Sequence, residues 1–256
     1  MTAAGQPQLL VAGTSQSSAV DGPGNRYVLF LQGCNFDCGA CHNPSTIGRG
    51  DDADPTARTM ATRDQIDEIR PLAPFLSGIT VTGGEPTLQL NGLTALFTAI
   101  KADDELGGLT TLVDTNGTLS RRGWEQILPV LDGAMVDLKA ANRDLHRSLT
   151  GAGNDRVKDS IRLLAEAGKL AEVRLLVVAG VTDTEAELAE WAGFVRGLDP
   201  DIPVRLMAFR HAGARQEARQ WDETSPEALN LVHDRLIGLG LTNVFAPRLT
   251  AGSVAP

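Results

Sequence analysis

The sequence predicts an α/β fold in which parallel strands alternate with helices. The chain has 256 residues, of which 42 % are hydrophobic, which is enough for the core of one large domain. Apolar runs and helical patterns alternate about every 25–40 residues, as they do in βαβ units. Six predicted strands precede the last helix, too few for a closed eight-stranded barrel. An open, partial barrel of six βα units fits better than a doubly wound sheet, and the motifs below decide between them.

Capping residues mark the ends of some predicted helices, such as Ser120 before one helix and Gly168 after another. Strands are predicted at residues 27–31, 78–82, 109–114, 134–137, 172–178 and 204–209, with a short last strand at 242–246. Helices are predicted at 63–72, 88–101, 120–130, 155–168, 184–197 and 225–238. We expect residues 1–20 to form a lead-in, 21–247 the core domain and 248–256 a tail, with a surface loop at 48–62.

Charge and hydropathy argue against nucleic-acid and membrane partners. The chain carries 23 Lys and Arg against 32 Asp and Glu, a net charge of −9, so we expect no nucleic-acid partner. Residues 1–16 lack the basic and apolar regions of a signal peptide, and no apolar run is long enough to span a membrane. These features predict a cytoplasmic protein.

All three cysteines lie between Cys34 and Cys41, in the spacing C-x3-C-x2-C. Three crowded thiols are a poor disulfide framework, so they indicate metal ligation in a cytosolic chain. Three thiolates can hold three irons of a [4Fe–4S] cluster and leave the fourth iron open to a chelating substrate. The alternative is a structural zinc site completed by His42, although such sites usually take their ligands from two separated pairs.

A second motif, Gly83-Gly84-Glu85-Pro86, follows a predicted strand, where ligand sites in α/β folds cluster. Two glycines allow the backbone to approach a ligand, and a carboxylate can accept from an ammonium group. Without the other motifs, an ordinary βα turn would be the better interpretation.

Together the two motifs resemble the radical-SAM superfamily, whose enzymes cleave S-adenosylmethionine (SAM). Within it, Asp21–Arg26 (DGPGNR), Cys41–Pro44 (CHNP) and Val136–Lys139 (VDLK) resemble the glycyl-radical-enzyme activases, which include the pyruvate formate-lyase-activating enzymes. The resemblance extends from about Ala19 to Pro247 and is closest to the YjjW-type activases. It implies a partial (β/α)6 TIM-like barrel and a radical-SAM oxidoreductase that works without oxygen.

The resemblance also implies roles for individual residues. Cys34, Cys38 and Cys41 would hold the cluster, and Gly83, Gly84 and Glu85 would bind the amino group of SAM. Further SAM contacts are implied for Asp114, Thr115, Asp137, Lys139, Arg174 and His211, with Lys139 also assigned to catalysis. In the activases the two Asp regions can share a monovalent cation. A surface pair for Asp137 and Lys139, and a structural salt bridge for Arg174, are the alternatives.

The sequence departs from the family pattern at three places. Ala40 replaces the aromatic residue that often precedes the third cysteine and lies against the adenine. Arg210 occupies the position of a histidine after the sixth strand, with His211 beside it. Residues 47–61 contain no cysteine, so the ferredoxin-like insert of many related activases is missing and we expect one cluster only.

The predicted reaction is reductive cleavage of SAM to a 5′-deoxyadenosyl radical, which takes a hydrogen from a glycine of a glycyl-radical enzyme. We expect a flavodoxin or ferredoxin as electron donor, the Asp21–Arg26 loop to help receive the glycine segment, and a monomeric protein. One alternative is a radical-SAM enzyme for a small molecule, similar to the deazapurine-forming enzymes. The other is a zinc or electron-transfer module without enzymatic activity.

Overall fold

The computed structural model describes residues 7–248, which divide into two compact units. The first contains the described residues up to Asn35 together with Ser45–Met135. The second contains Phe36–Pro44 and the described residues from Val136 onward. Parts of the predicted lead-in and tail, residues 1–6 and 249–256, lie outside the described residues, and the predicted domain boundaries stay a prediction.

In the first unit, a sheet with the strand order β3-β1-β2-β4-β5 carries the helices α1, α2 and α3. The strands are β1 (Gln8–Ser18), β2 (Arg26–Leu31), β3 (Arg58–Ala61), β4 (Gly78–Gly83) and β5 (Thr110–Thr115). The helices are α1 (Thr62–Ile69), α2 (Leu90–Ala102) and α3 (Arg121–Ile127). The strands β2, β4 and β5 are parallel, with Tyr27 opposite Ile79 and Ile79 opposite Thr111. β1 pairs antiparallel with both β2 and β3.

The core of the first unit follows the hydrophobic pattern of its predicted helices and strands. Leu93, Leu96, Phe97 and Ile100 are fully buried and recur at the spacing of one face of helix α2. The parallel strands also contribute fully buried apolar residues, such as Val81. A parallel strand buried on both faces has no polar alternation, which is why Tyr27–Leu31 is a continuous apolar run.

The second unit contains the strand order β7-β8-β9, all parallel, and the helices α4 to α7. The strands are β7 (Leu170–Val177), β8 (Val204–Ala208) and β9 (Val244–Phe245). The helices are α4 (Arg143–Thr150), α5 (Asp155–Glu166), α6 (Glu185–Arg196) and α7 (Pro226–Gly238). The strand β6 (Gly133–Asp137) begins in the first unit and ends in the second. No helix among residues 7–248 has both the length and the apolar character needed to cross a membrane.

The six predicted strands are all present, as β2 and β4 to β8, and the α/β class with parallel strands is confirmed. The structure adds β1 within the expected lead-in, β3 within the expected surface loop, and helix α4. The helical sequence pattern around His146 predicts a surface residue, and the structure shows that this prediction is wrong. His146 is fully buried in α4, with Nδ1 2.7 Å from the carbonyl oxygen of Ala152.

Candidate functional site

The first unit holds the beginning of the cysteine loop at the carboxyl end of β2. The strand ends at Leu31, and Gly33 has a φ of +99°, which allows the chain to turn there. The N–H of Gly33 donates to the carbonyl of Thr46 at 2.8 Å, and that of Cys34 to Ile47 at 3.0 Å. These backbone hydrogen bonds join the outgoing and returning ends of the loop beside Cys34.

The two glycines at the carboxyl end of β4, Gly83 and Gly84, pack against that same backbone. The N–H of Gly84 donates to the carbonyl of Leu31, and that of Glu85 to the carbonyl of Gly33, both at 2.8 Å. A Cβ atom on Gly84 would lie 2.3 Å from the carbonyl oxygen of Gly33, so no side chain fits. Gly83 has a φ of +110° and is equally crowded. The close approach that the glycines allow is therefore, in this structure, an approach to the protein's own backbone.

Glu85 is completely buried, and both of its carboxylate oxygens accept hydrogen bonds. Oε1 accepts from the Thr115 hydroxyl at 2.7 Å and from the N–H of Thr87 at 3.0 Å. Oε2 accepts from the N–H of Asn116 at 2.7 Å. Burial raises the pKa of Glu85 above its usual range, and these hydrogen bonds oppose that shift. The side chain thus fastens the turn after β4 to the end of β5.

The residues that end β5 surround the same point. Asp114 is half-buried and accepts a hydrogen bond of 3.2 Å from the Thr82 hydroxyl, and Thr115 is buried. Asn116, for which the motifs predict no role, has its Nδ2 atom 3.9 Å from Sγ of Cys34. The first unit therefore brings together Cys34, Glu85 and the end of β5, as expected for residues at the carboxyl ends of neighbouring parallel strands.

The second unit contains the rest of the cysteine loop, with Cys38 and Cys41. The N–H of Cys41 donates to the carbonyl of Cys38 at 3.2 Å, which closes a turn between the two thiols. Phe36 is buried and meets the ring of His146 edge to face, at a centroid distance of 5.5 Å. The N–H of Asp37 donates to the carbonyl of Thr150 at 2.9 Å, so helix α4 supports this part of the loop.

The segment after β8 also contacts this loop. Nε2 of His42 lies 3.1 Å from the carbonyl oxygen of Arg210, and Arg215 forms an ion pair with Asp37. Ala40, where the resemblance predicts an aromatic residue, packs against a buried cluster of three residues, and Trp221 packs against the same cluster. That cluster consists of Val178, Phe209 and Ala218.

Charged groups of the second unit act on Cys41. Burial raises the pKa of the Cys41 thiol, and Asp137 adds to the rise, whereas the cations Lys139 and Arg215 oppose it. Nζ of Lys139 lies 2.7 Å from Oδ2 of Asp137, and each side chain is 25 % exposed. The two residues that were predicted at the end of β6 therefore form a partly buried ion pair.

Arg174 lies in β7 with 6 % of its surface exposed, and its Nε donates to Oε1 of Glu172 at 2.6 Å. Glu172 also accepts from Nε of Arg205, at 2.8 Å to Oε2. The salt bridge named as the alternative for Arg174 is thus present in the structure. A contact between Arg174 and SAM stays a prediction.

The two candidates after β8 are each held by the residues 221–224. Arg210 donates through Nη1 to the carbonyl of Thr224 at 2.9 Å. His211 is exposed, and its Nε2 lies 2.7 Å from the carbonyl oxygen of Trp221. A carbonyl can only accept, so Nε2 of His211 carries hydrogen. The role predicted for His211 in binding SAM stays a prediction.

The Asp21–Arg26 loop is anchored at the amino-terminal ends of the strands in the first unit. Arg26 is fully buried, and Nη1 and Nη2 donate to Oγ1 and O of Thr110, the first residue of β5, at 2.9 and 3.0 Å. Its Nε donates to the Thr80 hydroxyl at 2.6 Å, and Nη1 also donates to the carbonyl of Pro23. Burial lowers the pKa of Arg26 to about 10. Arg26 therefore fixes the loop that the resemblance connects with the substrate.

Among the described residues 7–248, no three or more His, Cys, Asp or Glu side chains form a group that could hold a metal ion. The donor set itself suits an iron–sulfur cluster, because three half-buried thiols occur within eight residues. The assignment of Cys34, Cys38 and Cys41 as ligands stays a prediction that this chemistry supports.

The sequence is similar to known enzymes over most of its length. The family model of the radical SAM superfamily matches residues 28–192. A pyruvate formate-lyase-activating enzyme of Streptococcus mutans is 35 % identical over 213 residues, which are 80 % of this chain and 78 % of the relative. The enzyme of that name from Staphylococcus epidermidis is 31 % identical over 207 residues, or 77 % of this chain and 79 % of the relative.

Solved structures are similar in fold. A radical SAM methyltransferase from Sphaerobacter thermophilus superimposes with a TM-score of 0.61 at 20 % identity, covering 87 % of this chain and 66 % of that one. A domain of a pyruvate formate-lyase-activating enzyme from Bacteroides vulgatus gives 0.55 at 22 % identity, covering 67 % of this chain and 99 % of that one. These likenesses confirm the fold class predicted from the motifs, the partial (β/α)6 barrel rather than a doubly wound sheet.

Proposed function

We propose that this chain, which belongs to the radical SAM superfamily and within it to the family of the pyruvate formate-lyase-activating enzymes, generates a glycyl radical on a partner enzyme. The observation that carries the proposal is the 35 % identity to such an activating enzyme over 80 % of the chain. Membership of this chain in the branch of the YjjW-type activases stays a prediction.

The cofactors of the family are a [4Fe–4S] cluster and SAM. When bound, the reduced cluster supplies one electron that cleaves the sulfonium C–S bond of SAM, giving methionine and a 5′-deoxyadenosyl radical. Cys34, Cys38 and Cys41 would hold the cluster. Lys139 and Arg215 favour the thiolate form of Cys41, which is the form that binds metal.

The chain's polar groups would hold SAM at the carboxyl ends of the strands. Glu85 is occupied by Thr87, Thr115 and Asn116, so its contribution is to fix the turn in which Gly83 and Gly84 present their backbone. Lys139 and Asp137 form an ion pair with a quarter of each side chain exposed. An ammonium group of this kind can bind the SAM carboxylate, and the carboxylate of Asp137 can accept from ribose hydroxyls.

The substrate would be one glycine in a glycyl-radical enzyme. The 5′-deoxyadenosyl radical takes one hydrogen atom from the α-carbon, which leaves 5′-deoxyadenosine and a glycyl radical. The relatives are named for activating pyruvate formate-lyase, so a pyruvate formate-lyase is the first partner to test. The predicted role of the Asp21–Arg26 loop in receiving the glycine segment is not part of the proposal, because Arg26 holds the loop at the amino-terminal ends of the strands, whereas Cys34 and Glu85 lie beyond their carboxyl ends.

The finer features of the assembly are also part of the proposal. A flavodoxin or ferredoxin would deliver the electron directly to the single cluster, because residues 47–61 contain no cysteine for additional clusters. The chain would act as a cytoplasmic monomer. A monovalent cation would assist SAM binding.

The experiment mixes the reduced protein, SAM and a pyruvate formate-lyase without oxygen and records an electron paramagnetic resonance spectrum. We expect the doublet of a glycyl radical, with one 5′-deoxyadenosine formed for each radical. The doublet should disappear when the partner's reactive glycine is replaced by alanine, and also with the Cys41→Ala variant of this chain.

Two outcomes would contradict the proposal. SAM cleavage without a radical on any glycyl-radical enzyme encoded beside this chain would remove the assigned substrate. Efficient conversion of a small metabolite under those conditions would favour the alternative of a small-molecule radical-SAM enzyme.

A further inference from the structure

The side-chain amide of Asn116 has an orientation that its neighbours determine. Its Oδ1 atom accepts from the backbone N–H of Thr118 at 3.1 Å and from the Thr118 hydroxyl at 2.7 Å. A backbone N–H can only donate, so the oxygen of the amide must face Thr118. The Nδ2 atom, with its two hydrogens, therefore faces the opposite direction.

The groups that Nδ2 faces are Asn35 and Cys34. It lies 2.8 Å from Oδ1 of Asn35 and 3.9 Å from Sγ of Cys34. The amide of Asn35 is oriented in turn, because its Nδ2 donates to the Thr118 hydroxyl at 2.8 Å. The three side chains form a closed ring of hydrogen bonds, and one amide hydrogen of Asn116 is left for the sulfur.

Backbone hydrogen bonds also hold the residue that carries the donor and the residue that carries the sulfur. The N–H of Asn116 donates to the buried carboxylate of Glu85, and Asn116 itself is only 8 % exposed. Cys34 is held by the 3.0 Å hydrogen bond from its N–H to Ile47. Donor and sulfur are thus positioned by separate contacts within one compact unit.

We propose that Asn116 donates an N–H···S hydrogen bond to the Cys34 thiolate and thereby makes the bound cluster easier to reduce. This inference rests on the proposed function, in which Cys34 is a cluster ligand. A thiolate is a stronger acceptor than a thiol, because a hydrogen bond to an ionised group is shorter and stronger. Reduction adds negative charge to the cluster and its thiolates, so a donor to the sulfur stabilises the reduced form more than the oxidised form.

The test is a redox titration of the reconstituted full chain without SAM, followed by electron paramagnetic resonance. Asn116→Asp keeps an acceptor for Thr118 and places a carboxylate oxygen where the amide N–H faced Cys34. We expect its reduction equilibrium to become about tenfold less favourable, a negative shift of about 59 mV in midpoint potential for one electron. Asn116→Ala, which removes the donor without adding charge, should shift the potential in the same direction by less.

The matched control is Asn35→Asp, which adds the same charge beside Cys34. An aspartate at position 35 still accepts from Nδ2 of Asn116 and leaves the N–H to sulfur in place, so its shift should be clearly smaller. Equal shifts in Asn35→Asp and Asn116→Asp would overturn the proposal, because charge alone would then explain the effect. Unchanged potentials in both Asn116 variants would do the same.

The remaining outcomes are also decisive. Loss of the cluster in both Asn116 variants would make the residue a structural requirement, contrary to the proposal. A change in SAM affinity with an unchanged potential would assign the amide to SAM instead. The iron content and visible spectrum of Cys34→Ala test the ligand assignment separately, so a failure of the proposed function is distinguishable from a failure of this inference.

Discussion

The hydroxyl of Thr115 donates a hydrogen bond of 2.7 Å to the buried carboxylate of Glu85, which joins the turn after β4 to the end of β5. The same carboxylate accepts from the backbone N–H of Asn116 at 2.7 Å. A residue that the motif assigns to SAM is therefore also a structural link within the first unit. Its replacement should affect the stability of the fold as well as the cofactor.

We expect Glu85→Gln to lower the free energy of unfolding of the cofactor-free protein by about 1–3 kcal/mol. Glutamine has one acceptor oxygen where the carboxylate has two, so a buried donor such as the N–H of Asn116 loses its partner. Urea denaturation measures the change. Glu125→Gln, on the exposed side of α3, is the control and should change the free energy of unfolding by less than about 0.5 kcal/mol. Equal stability of Glu85→Gln and the wild type would show that this link contributes nothing.

Substitutions of the cysteines and of His42 distinguish an iron–sulfur cluster from a closed zinc site. Anaerobic reconstitution should give about four irons per chain, and replacing Cys34, Cys38 or Cys41 by alanine should abolish SAM cleavage. His42→Ala should keep the iron, because the cluster takes its protein ligands from the three cysteines alone. Metal analysis and the visible spectrum measure both. One zinc per chain, lost in His42→Ala, would contradict the assignment.

The alternation of apolar runs predicted the parallel strands because a strand buried on both faces has no polar alternation. It missed β1, whose sequence QLLVAGTSQSS is largely small and polar and which pairs at the edge of the parallel strands. It missed β3, which has four residues in a segment rich in Gly, Asp and Pro. β1 pairs antiparallel with the next strand, β2, and β3 pairs with β1 from a more distant part of the chain, but neither is rich in the β-branched and aromatic residues that signal a strand.

The helix α4 was missed although its ends carry recognisable signals. Oδ1 of Asn142 accepts from the N–H groups of Asp144 and Leu145, and Gly151 has a φ of +80° after the last turn. For the site, the motifs pointed to the turn at Glu85 and to the pair Asp137 and Lys139, whose roles in binding SAM stay predictions. They could not show that Asn116 faces Cys34, since that depends on which way an amide is turned by its neighbours.

The pair of Lys139 and Asp137 should bind SAM more than it stabilises the fold. A partly exposed ion pair contributes only about 0–1 kcal/mol to stability, whereas a charge-assisted bond to a ligand is stronger. We expect Lys139→Ala and Asp137→Asn each to weaken SAM binding about tenfold, equivalent to about 1.4 kcal/mol. Anaerobic equilibrium binding with the cluster assembled measures the dissociation constant. Arg143→Ala, which breaks the exposed pair with Asp155, is the control and should leave SAM affinity unchanged. Wild-type affinity in both site variants would remove the pair from the site.

Tyr27, the only tyrosine of the chain, should report on the folding of β2 at high pH. Burial, followed by smaller effects that include its hydrogen bond to Glu68, raises the pKa of Tyr27 to about 12 in the folded protein. The unfolded chain should ionise near the ordinary value of about 10. Between these two values the unfolded state has lost its proton and the folded state has not. The stabilising effect is therefore complete below about pH 10 and is lost as the pH rises to about 12, a change of about 2–3 kcal/mol in the free energy of unfolding.

Absorbance at 295 nm of the cofactor-free protein should show ionisation of Tyr27 near pH 12 when the protein is folded and near pH 10 in urea. Tyr27→Phe, which lacks the ionising group, should abolish both transitions. Ionisation of the folded protein near pH 10 would mean that the phenol is not buried between β2 and its neighbours.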